Sequence, residues 1–245
     1  ITPVGAGTAI IKAVSSLAGT DDVSATYILT VRKTPVTVTA PSLTVSYGAD
    51  ANSVLEEAKK HEPDVSDGLT ISDITEDEIS YGTDYIYGRS VGNYTLKIED
   101  IVSSKYDITL QPGTVTVEQK ELSADDFDVT AYEKVYDGTT DVTLNAAVKK
   151  SSLVTGDNVT ADISGSFDDE KAGADKAVSY TIEALGGTNC SNYKLPGNIT
   201  GTAYADISKM EITFIAGAAT FAYDGEGKSL TVSAFDSLGR VFEAY

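Results

Sequence analysis

Three tyrosine–glycine corners recur along the chain at almost constant spacing. They are Tyr47-Gly48, Tyr136-Asp137-Gly138 and Tyr223-Asp224-Gly225, and the three tyrosines stand 89 and 87 residues apart. A second series, Lys33, Lys120 and Lys209, closes strand-like stretches at intervals of 87 and 89 residues. Two series of landmarks sharing one period mean that one supersecondary unit is repeated, and that no single large core needs to form. Within the period, Asn93-Tyr94-Thr95-Leu96 answers to Ser179-Tyr180-Thr181-Ile182. Tyr106-Asp107-Ile108-Thr109-Leu110 with Pro112-Gly113 answers to Tyr193-Lys194-Leu195 with Pro196-Gly197. The predicted organisation is one full unit at 34–120 and another at 121–209. Residues 1–33 carry the closing part of a unit and residues 210–245 the opening part of a further one.

Local pattern predicts a mainly β protein. Val36-Thr37-Val38-Thr39, Leu43-Thr44-Val45-Ser46, Thr114-Val115-Thr116-Val117, Phe127-Asp128-Val129-Thr130 and Leu230-Thr231-Val232-Ser233 alternate apolar with polar residues, the period of a half-buried strand. One wet face points to small antiparallel sheets, since all-parallel sheets are covered on both faces. One segment departs from this period. Ser53 and Glu56 have capping-box spacing, Val54, Leu55 and Ala58 fall on one helical face, and Pro63 blocks continuation, so a short helix is predicted over 53–61. So short a helix needs a sheet to cover. Residues 145–154 suit a strand and a helix equally. The Asp-Gly pair after Tyr136 lies between β-like flanks and predicts a tight hairpin turn with its tyrosine ring packed inward. Recurrence of the corner in every unit argues that Tyr47, Gly48, Tyr136, Asp137, Gly138, Tyr223, Asp224 and Gly225 serve folding.

These corners, the closing pattern of a Tyr-containing strand, Pro-Gly and alternating Thr and Val running into a Lys, and the period itself resemble the MBG-type repeats, of YGX and YDG varieties, of large bacterial surface proteins. Val45-Ser46-Tyr47-Gly48 resembles the YGX opening, and Lys134-Val135-Tyr136-Asp137-Gly138-Thr139-Thr140 through Asn192-Tyr193-Lys194-Leu195 resembles a whole YDG domain. Residues 1–33, with Gly5-Ala6-Gly7-Thr8-Ala9-Ile10-Ile11 and Tyr27-Ile28-Leu29-Thr30-Val31, resemble the end of a bacterial immunoglobulin-like domain. The resemblance implies elongated tandem arrays of β-grasp-like modules in secreted or cell-wall-attached, adhesin-like proteins. It brings no catalytic residues.

Charge narrows the partners. The chain has 18 basic and 37 acidic residues, a formal net charge of -19. Such a surface repels phosphate backbones and anionic membranes and favours a soluble monomer, so neither nucleic acid nor membrane insertion is expected. No apolar run reaches membrane-spanning length. The N-terminal Ile1 follows no signal-peptide pattern, and the expectation is a piece of a longer polypeptide. Cys190 is the only cysteine and His61 the only histidine, which leaves no disulfide and no histidine-rich metal site. Neither residue is expected to be catalytic: His61 reads as a solvated surface residue and Cys190 as an unreactive thiol in a polar loop. The acidic clusters Asp21-Asp22, Asp125-Asp126 with Asp128, and Asp168-Asp169-Glu170 lack EF-hand spacing, so no cofactor or metal is predicted. Two functional readings remain. The first is a non-catalytic structural spacer, with end-to-end contacts through the incomplete terminal units. The second is an adhesive module that binds host or cell-wall glycans or proteins. Its contact would be the aromatic group Tyr81, Tyr85 and Tyr87, with residues 85 and 87 on one strand face.

Overall fold

A computed structural model describes residues 5–16, 18–19, 21–217, 219–229, 232–236 and 239–243. The chain divides into two compact units, Ile1–Lys120 and Glu121–Tyr245. The mainly β reading holds in both, with several small sheets and few helices.

The first unit opens on a hairpin of β1 (Gly7–Ser15) and β2 (Val23–Val31), paired antiparallel from Gly7↔Val31 to Ser15↔Val23. Its side chains are largely bare; Ile10, Val23 and Tyr27 are all more than half exposed. The rest of the unit is built on two bent strands. Near Pro41, β3 (Thr34–Thr39) passes into β4 (Leu43–Ser46), and at Pro112, β8 (Tyr106–Gln111) passes into β9 (Gly113–Glu118). Between them come α1 (Ala51–Ala58), β5 (Asp64–Val65), α2 (Ile71–Ile74), β6 (Tyr81–Thr83) and β7 (Gly92–Ile98).

The strand orders are β5-β3-β8 and β4-β9-β7-β6. The pairs β3/β8 and β4/β9 are parallel, so the purely antiparallel expectation is corrected: these sheets are mixed. The cause is topological, because β3 and β4 lie beside β8 and β9 and the intervening elements return the chain to the starting end of β3. Both bent strands turn at the same level. A side chain at Gly113 would overlap the Pro41 carbonyl, so this close approach requires glycine.

Helix α1 lies against β4 and β6 and buries Val54 and Ala58, with Leu55 half-buried. Its start differs from the predicted one. Asp50 is the N-cap and accepts from Asn52 N (3.1 Å) and Ser53 N (3.3 Å), so Ser53 lies inside the first turn and the expected Ser53–Glu56 box does not form. The helix also ends at Ala58, well short of the predicted residue 61. The unit's buried residues include Val36, Val38, Leu43, Leu96, Ile98, Val115 and Val117, the inward positions of the alternating strands.

In the second unit, β10 (Lys120–Glu121), across which the division of the chain falls, pairs with β16 (Tyr193–Lys194). Strand β11 (Phe127–Ala131) pairs antiparallel with β13 (Leu144–Val148), which shows that the ambiguous stretch beginning at 145 opens as a strand, followed by a short 3-10 turn at Lys150–Ser152. A four-stranded sheet has the order β12-β17-β15-β14, with β12 (Lys134–Val135), β14 (Thr160–Phe167), β15 (Gly173–Gly186) and β17 (Ile199–Ser208). Again the pair of early and last strands, β12/β17, is parallel. Phe167, Val178, Ala205 and Ile207 form a buried cluster, flanked by Ala131, Val142, Leu144 and Ala203. Tyr180 faces Gly165 on one neighbouring strand and Gly201 on the other, and its ring covers the space a side chain at Gly201 would take.

A last sheet is formed by β18 (Ile212–Ala216), β19 (Val232–Asp236) and β20 (Val241–Glu243), all antiparallel. Strands β18 and β19 repeat the pairing of β11 and β13: Phe127 faces Val148, and Phe214, 87 residues later, faces Ala234. The burial differs. Phe127 is 6% exposed and Phe214 68%. In the predicted strand Leu230-Thr231-Val232-Ser233, residues 230 and 231 lie outside the described residues.

Candidate functional site

The repeated corners are where the sequence concentrates its signal. In the first unit, Tyr47 follows β4 directly, its ring is 3% exposed, and its backbone N–H donates to the Glu118 carbonyl at 2.8 Å. A turn follows, with Gly48 at φ +85 and Ala49 N donating to Ser46 O (3.1 Å). In the second unit, the Tyr136 N–H donates to the Ser208 carbonyl at 2.9 Å. The two tyrosines therefore hold the same place, at the end of a strand running parallel to β9 in one unit and to β17 in the other.

The Tyr-Asp-Gly corner is not the hairpin turn the sequence suggested. Its flanking strands β12 and β13 pair with β17 and β11, not with each other. Instead the Asp137 side chain folds back on its own backbone: Oδ1 accepts from Thr139 N (2.9 Å), Thr139 Oγ1 (2.9 Å) and Lys134 Nζ (2.8 Å). These donors, Lys134 foremost, lower the Asp137 pKa to about 2. The Lys134 ammonium also donates to Thr139 O (2.9 Å) and sits 5.8 Å from the centre of the Phe167 ring, linking the loop to the buried cluster. The third corner repeats the device. Asp224 Oδ1 accepts from Glu226 N (3.0 Å), Lys228 pairs with the same carboxylate, and Gly225 has the φ of +82 found at Gly138. Inward ring packing holds for Tyr47 alone, because Tyr136 is 37% and Tyr223 98% exposed.

The predicted aromatic contact does not assemble. Strand β6 ends at Thr83, so residues 85 and 87 share no strand face. Tyr85 is buried, its hydroxyl donating to Ala49 O (2.8 Å) and its ring meeting that of Tyr94 edge-on at 5.3 Å. Tyr81 is buried as well, with its hydroxyl on His61 O (3.4 Å). Burial raises the pKa of both phenols. Only Tyr87, beside Ile86, faces solvent. Tyr204, on β17, is 65% exposed.

Next to Tyr81 lies an open groove of about 510 Å³ with Pro63, Ile71 and Ile79 among its apolar lining and Glu62, Glu76, Asp77 and Glu78 at its margins. His61 borders it, with Nε2 3.6 Å from Glu57 Oε1. Two of the acidic clusters, around Asp126 and around Asp168, are engaged by cations, hydroxyls and backbone. Lys176 Nζ lies 3.3 Å from Asp168 and 2.5 Å from Asp169. Asp126 accepts from Ser123 N (2.7 Å) and Ser152 Oγ (2.5 Å), and Lys149 lies 3.7 Å from Asp128. Among the described residues, no three His, Cys, Asp or Glu side chains gather in a way that could hold a metal ion. Cys190 stands half-buried at the start of a short 3-10 turn, Cys190–Asn192.

Sequence reasoning missed the cross-links that hold these loops. Tyr193 OH donates to Asp157 (2.7 Å) and accepts from Val154 N (2.8 Å), and nothing local connects residues so far apart in sequence. Lys134 was visible only as the residue three positions before Asp137.

The arrangement defines a class, a small mixed-sheet module closed by pairing its early strand with its last. Within it, residues 118–203 match the family model described as the YDG domain. No curated protein matches the chain. Among the described residues, no helix is long and apolar enough to cross a membrane.

Proposed function

We propose that the chain is a non-catalytic structural spacer from a bacterial cell-surface or secreted, adhesin-like protein, placed outside the cell or on its wall. In this reading an MBG-type module of the YGX variety at 34–120 precedes the YDG domain. One observation carries it. In residues 34–120 the strands β3 and β4 run parallel to β8 and β9, and in residues 121–209 the early strand β12 runs parallel to β17, so the chain leaves each module at the far end of a parallel pair. Each module also has its own buried residues, Val38, Leu96 and Val115 in one and Phe167, Val178 and Ile182 in the other. The test is display of one, two or three copies of residues 34–209 between a cell surface and an epitope tag. Antibody access to the tag should rise with copy number, and a flat response would count against a spacer.

The adhesive reading now rests on Ile86 and Tyr87, 58% and 51% exposed in one loop. A glycan array probed with the whole chain and with Tyr87→Ala tests it; signal that survives the substitution removes this contact.

A further inference from the structure

We infer that the parallel strand pairs are mechanical clamps of unequal strength, and that the YDG module is the one that yields first under tension. The inference depends on the spacer reading for its purpose, not for its physics.

In a parallel pair the first strand's start lies beside the last strand's start. Tension applied through the chain ends therefore pulls the two strands past each other along their length. All the hydrogen bonds of the pair resist together, whereas a pull across the pair opens them one after another. The force a module withstands follows from its unfolding barrier under load, and so from how many of these bonds must break at once.

The two modules differ in this number. In the first, the register runs unbroken from Thr34↔Tyr106 to Thr39↔Gln111 and resumes from Leu43↔Val115 to Ser46↔Glu118. The gap at the bend is bridged by Ala40 N to Gln111 O (2.9 Å) and Thr114 N to Ser42 Oγ (3.1 Å), and the end is sealed by Tyr47 N to Glu118 O. In the second module, the parallel register of β12 and β17 covers only Lys134↔Ile207 and Val135↔Ser208. Beyond it come the Tyr136 N to Ser208 O bond and a Ser208 Oγ to Lys134 O contact of 3.3 Å. The early contact of this module, β10 with β16, is two residues long on each side and is extended by a single bond, Leu122 N to Lys194 O (2.9 Å). The remaining ladders of the sheet, β14/β15 and β15/β17, do not join the entering strand to the leaving one.

Single-molecule pulling of the whole chain tests both statements. For the ranking, about 20 Gly-Ser residues inserted in the exposed 170–172 loop lengthen the YDG module's opening event by roughly 70 Å, at ~3.5 Å per extended residue. The lengthened event should occur at the lower force; its appearance at the higher force would overturn the ranking. For the clamp, cysteine handles are placed at exposed positions in a Cys190→Ser background, as Thr34→Cys with Glu118→Cys, or as Ser46→Cys with Glu118→Cys. The first pair loads the strands along their length and the second peels them from one end, with no bond of the pair removed. Opening force should fall several-fold in the second geometry, and equal forces would overturn the clamp. Neither result bears on the copy-number test above, so the spacer reading and the clamp fail separately.

Discussion

The backbone N–H of Tyr136 reaches the carbonyl of Ser208 at 2.9 Å, as the N–H of Tyr47 reaches that of Glu118 at 2.8 Å in the preceding module. Each bond joins the end of an early strand to the end of the last one, so the recurring tyrosine marks the point where a module closes. The corner that follows is local, a backbone turn through Gly48 after Tyr47 and a glycine with the Asp137 carboxylate after Tyr136.

The Asp137 carboxyl, held at about 2 by Lys134 and by the amide and hydroxyl of Thr139, has a folded-state pKa below its unfolded one. Its contribution is complete above the unfolded value near 3.8 and is lost as pH falls through about 2. Carboxyl NMR titration should place Asp137 at the low end of the aspartates. Asp137→Asn should narrow its stability gap to the parent chain as pH drops through this window.

Replacing Gly113 by Ala should destabilise the first module by about 2 kcal/mol, because the new methyl meets the Pro41 backbone carbonyl, which cannot swing aside. Gly201→Ala meets only the far end of the Tyr180 ring and should cost less. Urea denaturation of both variants checks the order, and pairing Gly201→Ala with Tyr180→Leu should recover part of the loss.

Helix α1 gives a sharp comparison. Asp50→Ala should cost about 1 kcal/mol through the lost cap, and Ser53→Ala much less. Equal losses in thermal melts would return the cap to Ser53.

Tyr85→Phe should destabilise by about 1 kcal/mol, since it removes the hydroxyl that donates to Ala49 O. Tyr87→Ala, at an exposed loop position, should stay within about 0.5 kcal/mol. The contrast matters for any binding assay, because loss of signal in Tyr85→Ala reports damage to the fold and only Tyr87→Ala reports a contact.

The repeat and the strands were readable because both are periodic in the residues themselves: Val36, Val38, Val115 and Val117 alternate inward as their spacing requires. The pairing was not readable. A half-buried strand shows the same alternation whether its neighbour runs parallel or antiparallel, and the partner of Thr34 lies at Tyr106. The Asp-Gly corner was ambiguous for a related reason, since glycine at positive φ serves a hairpin and an Asx turn alike. Tyr85 and Tyr87 were misplaced because alternation was read through a segment that is not a strand. The Asp50 cap lay three residues ahead of Ser53, and two polar residues both suited to capping left the start of the helix to be decided by its packing.

The side-by-side course of early and last strands has a consequence for how such a protein changes length. A module whose exit is carried one strand-length beyond its entrance can hand the chain to an identical successor with almost no connecting segment: β9 ends at Glu118 and β10 begins at Lys120. Insertion of a further copy of residues 34–120 at this junction should therefore need no added linker.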